Sequence, residues 1–447
     1  MFDRNTAEFY RMTVTNFRSL DPQTLSAIKG DLGLCLTLDA PQYICRYYAA
    51  REGRDPTVGE LCFLDALAQT LCSMPDALCI KDVSGEENAT RSFRDILRKR
   101  EQLASSNAPT LPELMNTLPR YLARSGFNAA NDRVYCATSA ELATRCQGTP
   151  PTLVLELAHT AAALLPTPKP TYLEKTVLAL LAPTGNAPFS TEIAQLLSTP
   201  EAAYLSPLAL TGAEGILPHL LKCSGVQLDT AKLQYFDPDK GPAMLTKLGT
   251  NALLLCIAPQ ALPALLAYTP ALTPLGTVTQ SNRLQLHHGV QPILSLEMPL
   301  LRSLKKPHEL TLTITPDVAS TLPTPSLVQN SDTLLIGLEL ENNAAEGLAA
   351  LAGAAYQNGA DLRHCTLCEV LELPFGNAKA LPLALSLLLG AHRAAAELLL
   401  PMGDRRILCT QSDTPRLSLF LTAPRHEART VEIPHDFAAA RALYYGD

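Results

Sequence analysis

Prolines interrupt this 447-residue chain at 35 positions, and they restrict how long any regular element can be. Proline lacks the backbone N–H that a helix interior or a central strand needs, so it favours element ends and turns. The apolar stretch Ala252–Tyr268 is broken by prolines, and Leu381–Met402 is interrupted by His392, Arg393 and Glu397. Neither stretch therefore predicts a membrane-spanning helix.

The composition is that of a globular chain with room for two or three domains, because 47% of the residues are hydrophobic and 18% are charged. The net charge of −7 predicts no nucleic-acid partner, since such a surface needs a basic stripe. The densest basic run is Arg98–Arg100, inside the charged amphipathic segment Arg91–Leu103. We interpret this run as the solvated face of a helix.

The first residues, MFDRNTAEFYRMTV, carry charges immediately and lack an apolar core, which predicts that no secretory signal is present. The 12 cysteines are therefore expected to be reduced thiols in a cytoplasmic protein. His364, Cys365 and Cys368 have a metal-like local spacing, but no second ligand pair is near them. We interpret Cys365 and Cys368 as buried thiols.

Strand-like and helix-like segments alternate along the chain, which predicts an α+β fold. Proline clusters at 149–152 and 165–170, and the segment Lys305–Pro307, are expected domain boundaries. The stretch PLGTVTQSNRLQLHHGVQPILSL predicts strands joined by a turn at Gln280–Asn282.

A helix start is expected in GRDPTVGELCFLDALAQTLC, which runs from Gly53 to Cys72. Asp55 is the predicted cap, with Pro56 in the first turn and Glu60 close behind. The common nucleotide-binding motifs are absent, since the sequence has neither a phosphate loop nor G-x-G-x-x-G after a strand. It also lacks H-E-x-x-H and any nucleophile context that would place a Ser/His/Asp triad.

The segment LGLCLTLDAPQYICRYYAAREGRDPTVGELCFLD resembles the helical linker of phosphoribosylformylglycinamidine synthase, the glutamine-dependent enzyme of purine synthesis. It is most similar to the large form from anaerobic Gram-positive bacteria. In that family the linker continues as Trp-Ser-Asp-His-Cys, but this chain has Ala68, Gln69, Thr70, Leu71 and Cys72. Leu71 takes the place of the histidine, and it can neither transfer a proton nor donate a hydrogen bond.

The resemblance continues in family order to about residue 420. LELAHTAAALLP retains Glu156, LALTGAEG places Glu214 where the family has a glycine, and TLCEVLE retains Glu369. The family's Gly-Gly-Lys-Asp-Ser-Met motif corresponds to residues 404–409, which are Asp-Arg-Arg-Ile-Leu-Cys in this chain and include Arg405 and Arg406. The resemblance leaves no catalytic residue and no metal ligand, and its remaining candidates for ligand binding are Cys72, Glu156, Glu369, Arg405 and Arg406.

The resemblance implies aminoimidazole-ribonucleotide-synthetase-like subdomains, with mixed or antiparallel sheets and helices packed on one side, after a helical linker. The expected division is an N-terminal segment and linker (1–110), a remnant of the first ATP-binding-type subdomain (111–170), a carboxy-terminal-type α/β subdomain (171–305) and a second amino-terminal-type subdomain (306–447). The expected partners are a second copy, because exposed sheet edges need covering, or a purine-pathway protein, with no nucleic acid and no membrane.

The family uses ATP and Mg²⁺, and Mg²⁺ needs oxygen ligands. This chain has apolar residues at polar family positions, namely Leu71, Ala158, Ala163, Leu210, Leu248, Ala252 and Ile407. One hypothesis is therefore a catalytically deficient relative without cofactors, acting as an interaction or ligand-sensing module. A second is a working ATP-dependent ligase or synthase subunit of purine biosynthesis that uses Cys72, Glu156, Glu369 and Arg405. An unrelated fold is the third.

Overall fold

The fold is known from a computed structural model, which describes residues 7–36, 39–102, 108–124, 175–182, 196, 199–233, 242–250, 252–316, 321–329 and 333–446. The α-helices are α1 (Ala7–Arg11), α2 (Pro22–Leu32), α3 (Asp39–Tyr47), α4 (Val58–Cys72), α5 (Glu87–Gln102), α6 (Leu111–Arg124), α7 (Leu217–Leu220), α8 (Leu262–Tyr268), α9 (Met298–Ser303), α10 (Ala344–Gln357), α11 (Leu381–Glu397) and α12 (Phe437–Tyr445). The strands are β1 (Leu78–Gly85), β2 (Val177–Leu181), β3 (Leu205–Leu210), β4 (Gly225–Asp229), β5 (Leu253–Ile257), β6 (Leu272–Thr279), β7 (Arg283–His288), β8 (Gln291–Glu297), β9 (His308–Ile314), β10 (Ser326–Gln329), β11 (Thr333–Leu340), β12 (Thr366–Pro374), β13 (Met402–Thr410) and β14 (Arg416–Pro424).

The chain forms two compact units, each assembled from three segments. The first comprises residues 1–77, 167–184 and 199–307, and the second comprises residues 78–166, 185–198 and 308–447.

The first unit contains a seven-stranded sheet with the order β3-β5-β2-β6-β4-β7-β8. Its pairs are antiparallel except for β4 and β7. Every residue of β5 is buried, as expected for a strand covered on both faces. Side chains from α4, including Leu64, Leu67 and Leu71, complete the hydrophobic core of this unit.

The second unit contains a five-stranded sheet with the order β10-β11-β14-β12-β13 and a two-stranded parallel sheet of β1 and β9. In the larger sheet only β12 and β13 run parallel. Gly85 ends β1 with φ at +101°, and a Cβ atom there would lie 2.1 Å from the carbonyl oxygen of Ile314. A side chain at this position would therefore collide with β9.

The predicted α+β class is confirmed, because both large sheets are mixed, mainly antiparallel and accompanied by helices. The predicted strands and the turn at Gln280–Asn282 are present, as β6 and β7. The two strands are not neighbours in the sheet, because β4 lies between them. The register is set by a strand more than 40 residues earlier, which local turn chemistry cannot reveal.

None of the described helices is long and apolar enough to cross a bilayer. The cysteines in the described ranges are free thiols. Cys365 and Cys368 are both buried, as the sequence predicts.

The start of α4 differs from the sequence prediction, because the cap is Thr57 rather than Asp55. The Thr57 hydroxyl oxygen accepts a hydrogen bond from the Glu60 N–H at 3.1 Å, and the Glu60 carboxylate accepts one from the Thr57 N–H at 2.9 Å. This reciprocal capping box satisfies two backbone donors at once. The Asp55 carboxylate instead accepts hydrogen bonds from the backbone N–H groups of Asn16 and Arg18.

Thr57→Ala is expected to lower the free energy of unfolding by about 1 kcal/mol, because the helix loses its side-chain cap. Urea unfolding followed by circular dichroism measures this change. Thr70→Ala is the control, since the Thr70 hydroxyl only donates to the Ala66 carbonyl within the same helix. Equal stability of Thr57→Ala and the wild type would contradict the capping role.

Candidate functional site

Helix α4 forms one wall of a cavity of about 350 Å³ in the first unit. Its contribution is Asp65, Ala68, Gln69 and Cys72. These positions follow the i, i+3, i+4, i+7 spacing that places side chains on one face of a helix. We call this cavity the α4 pocket; the rest of its wall consists of Cys35, Leu36, Ala40, Tyr43, Ser303, Leu304 and Lys306.

The wall of the α4 pocket is mainly apolar. Leu36, Ala40 and Leu304 are buried, whereas Tyr43 is 46% exposed. A volume of about 350 Å³ and an apolar wall with a few polar groups are typical of sites for small organic molecules.

Asp65 is the main polar feature of the pocket and is only 7% exposed. One carboxylate oxygen accepts a hydrogen bond from the Cys35 backbone N–H at 2.8 Å, and the other accepts one from Gln69 Nε2 at 2.7 Å. Burial raises the pKa of Asp65 above the ordinary 3.8, although these hydrogen bonds partly oppose the rise. The sequence analysis missed Asp65, although a single acid between Leu64 and Ala66 in an apolar stretch was a usable signal.

The five positions that correspond to the family motif have different surroundings on α4. Ala68, Gln69 and Cys72 face the pocket, and the Cys72 thiol donates to the Leu304 carbonyl over 3.7 Å. Leu71 is 4% exposed and belongs to the hydrophobic core. The position that the sequence resemblance aligns with the family histidine is thus occupied by a core side chain.

Glu369 lies in the second unit and is fully buried. Its carboxylate oxygen is 3.2 Å from His392 Nε2, and His392 is itself 2% exposed. The parallel pairing of β12 and β13 places Arg405 opposite Glu369. The Arg405 guanidinium donates to the carbonyl of Gly403, with Nε at 3.1 Å.

The two remaining candidate residues from the sequence are Arg406 and Glu156. Arg406 lies on β13 opposite Val370, and Glu156 lies outside the described residues. The structure thus places Glu369 and Arg405 on neighbouring strands of the second unit, whereas Cys72 belongs to the first unit.

Other positions of the family resemblance are also part of the core. Leu248 and Ala252 are buried in the first unit. Glu214 is 4% exposed, and its carboxylate binds His219 Nε2 at 3.0 Å. Across the described ranges, no group of three or more His, Cys, Asp or Glu side chains is arranged to hold a metal ion.

No protein-family model matches the chain, and no curated protein matches it. Among solved structures, it is similar to phosphoribosylformylglycinamidine synthase II from Thermotoga maritima at 12% identity, with a TM-score of 0.38 over 56% of this chain and 54% of that one. It is also similar to T. maritima PurL complexed with FGAR, at 10% identity and a TM-score of 0.41 over 61% and 60% of the two chains. For T. maritima PurL complexed with ATP the identity is 11% and the TM-score 0.38, over 59% and 55%. The matched part thus spans little more than half the length of each of these structures.

Asp65→Asn is expected to gain stability relative to the wild type as the pH rises. The raised pKa means that folded Asp65 binds its proton more tightly than the unfolded chain does, so the wild type loses stability between pH 3.8 and the higher folded pKa. The difference amounts to about 1.4 kcal/mol for each pKa unit that separates the two states. Urea unfolding between pH 3.5 and 7.5 measures it, with the exposed Asp413→Asn as the control for net charge. A pH-independent difference for Asp65→Asn would contradict the prediction.

Proposed function

We propose that this chain is a non-catalytic relative of phosphoribosylformylglycinamidine synthase that binds a small, mainly apolar molecule in the α4 pocket. The observation that carries the proposal is the position of the family motif on α4. Ala68, Gln69 and Cys72 line a cavity, while Leu71 is in the core. The chain therefore retains a cavity at this place without the proton-transfer group that the family motif supplies.

The chemistry of the α4 pocket argues against phosphoryl transfer. That reaction depends on Mg²⁺ and on cationic groups that stabilise the charge on the transferred phosphoryl group. Asp65 is the only carboxylate and Lys306 the only cationic side chain among the described lining residues.

The same features define the ligand class. Leu36, Ala40, Ala68 and Leu304 offer an apolar surface to an aliphatic or aromatic body. Asp65 is the acceptor for one donor group of the ligand, such as an amide or amine N–H. We expect a neutral or singly charged molecule, since a highly charged one would lose its hydration against this wall.

The alternative is a working ATP-dependent ligase or synthase subunit of purine biosynthesis. Cys72 favours it, because the one retained motif residue faces the cavity. Glu369 does not support it, since its carboxylate is enclosed with His392. Enzyme activity distinguishes the two proposals.

The proposal also includes a homodimer, a purine-pathway partner and a cytoplasmic location. β3 and β8 are the end strands of the seven-stranded sheet over the described residues. A second copy that pairs with one of these edges would satisfy its open backbone groups. Light scattering coupled to size-exclusion chromatography is expected to give twice the chain mass of 48.1 kDa, and a monomer would contradict this part.

The purified chain is expected to release no ADP above the protein-free blank when given Mg·ATP, formylglycinamide ribonucleotide and ammonia. The reason is the loss of polar groups at family positions such as Leu71 and Ala252. A coupled ADP assay measures the rate. Steady release that disappears in Cys72→Ala would overturn the non-catalytic proposal and establish the alternative.

Ala68→Phe is expected to weaken binding of the neutral dye 1-N-phenylnaphthylamine by at least about tenfold, because the added ring fills the α4 pocket. Fluorescence titration measures the affinity, and circular dichroism verifies that the variant is folded. Thr70→Ala, on the same helix but outside the pocket wall, is the matched control. Equal dye affinity in wild type and Ala68→Phe would rule out the α4 pocket as the binding site.

A further inference from the structure

A larger cavity, of about 850 Å³, lies in the second unit between α5, the end of β1 and the last turns of α11. We call it the arginine groove, because Arg91, Arg94 and Arg98 from α5 and Arg393 from α11 line it. It is separate from the α4 pocket, which belongs to the first unit.

The arginines face the groove because of their spacing on α5. Phe93 and Ile96 are buried and fix the inner face of the helix. Arg91, Arg94 and Arg98 follow the i, i+3, i+7 spacing and so share another face. Arg94 and Arg98 are exposed, whereas Arg100 is only 6% exposed, so the predicted solvated face is present and Arg100 lies outside it.

Several arginines of the groove have no carboxylate partner among the described residues. Arg91 binds Glu87 at 2.7 Å, and Lys99 binds Asp95. Arg100 is 6% exposed and binds Glu113 at 3.2 Å, away from the groove wall. In the described part of the chain, no carboxylate forms an ion pair with Arg94, Arg98 or Arg393. The two carboxylates left on the wall, Asp82 and Glu397, are both exposed and do not balance three guanidinium groups.

The α11 wall adds a second, independent observation. His392 lines the groove, is 2% exposed and has no hydrogen-bond partner at Nδ1 within the described residues. The Nε–H of the neighbouring Arg393 is also buried and without an acceptor there. Buried polar groups are normally paired, so the Arg393 Nε–H points to an acceptor supplied from outside the chain, and His392 Nδ1 points to a further polar group of the same ligand.

We propose that the arginine groove binds a small molecule carrying two or more linked phosphate groups. Guanidinium groups bind phosphate oxygens through paired hydrogen bonds, and three of them on two helices match an extended anion better than a single phosphate. The volume suits an anion of nucleotide size. The acidic net charge of the chain disfavours a long nucleic acid, which would need a basic surface beyond the groove.

Isothermal titration of the full chain with inorganic tripolyphosphate, in EDTA and low salt, tests the proposal. One binding site per chain is expected, with an affinity that falls as salt is added. Arg94→Gln, Arg98→Gln and Arg393→Gln should each weaken binding about tenfold, the usual loss for a charge-assisted hydrogen bond. Arg416→Gln is the matched control, because Arg416 lies outside the groove and pairs with Glu339.

Two further arms define the ligand chemistry. ATP and GTP without Mg²⁺ should bind equally well, because the groove contacts phosphates rather than the base. Citrate should bind at least about tenfold more weakly than tripolyphosphate, since carboxylates lack the linked phosphate geometry. The proposal would be overturned if tripolyphosphate does not bind, if the three groove variants keep the affinity of the wild type, or if citrate binds as tightly as tripolyphosphate. Because the α4 pocket is tested with a neutral dye and with ADP release, either proposal can fail alone.

Discussion

The Asp65 carboxylate connects the two walls of the α4 pocket, and the pocket depends on it. It accepts one hydrogen bond from the Cys35 backbone, ahead of α3, and another from Gln69 on α4. A carboxylate in this position costs desolvation energy, which these two bonds partly offset. The bond to Cys35 ties the segment ahead of α3 to α4 inside an apolar wall, which fixes the position of both segments.

Around this link, several positions that the sequence resemblance aligns with polar groups of the synthase family lie in the hydrophobic core. Leu71, Leu248 and Ala252 are buried in the same core cluster. Unpaired polar groups would be costly at such buried positions, so an apolar residue stabilises the fold there. Cys72, which tolerates an apolar neighbourhood, lies on the pocket wall.

The sequence predicted the features that depend on local pattern: the α+β class, the existence of α4 and the burial of Cys365 and Cys368. It failed where distant segments compete. Asp55 was the predicted cap of α4, but its carboxylate binds the backbone N–H groups of Asn16 and Arg18 instead. Of the candidate site, Cys72 was found on the pocket wall, but Asp65 was missed. The pairing of Glu369 with His392 spans 23 residues and two elements, so no local motif could indicate it.

The parallel pair of β1 and β9 has a consequence for synthesis of the chain. Leu78 pairs with His308, and most of the first unit is encoded between them. At roughly 5–20 residues per second, β1 waits on the order of 10–50 s after leaving the ribosome before β9 exists. During that interval its backbone groups are open to other chains, and the first unit also remains incomplete until residue 307. Each unit is completed only by a segment that is made late, so the nascent chain has a long window in which a chaperone would protect it from aggregation.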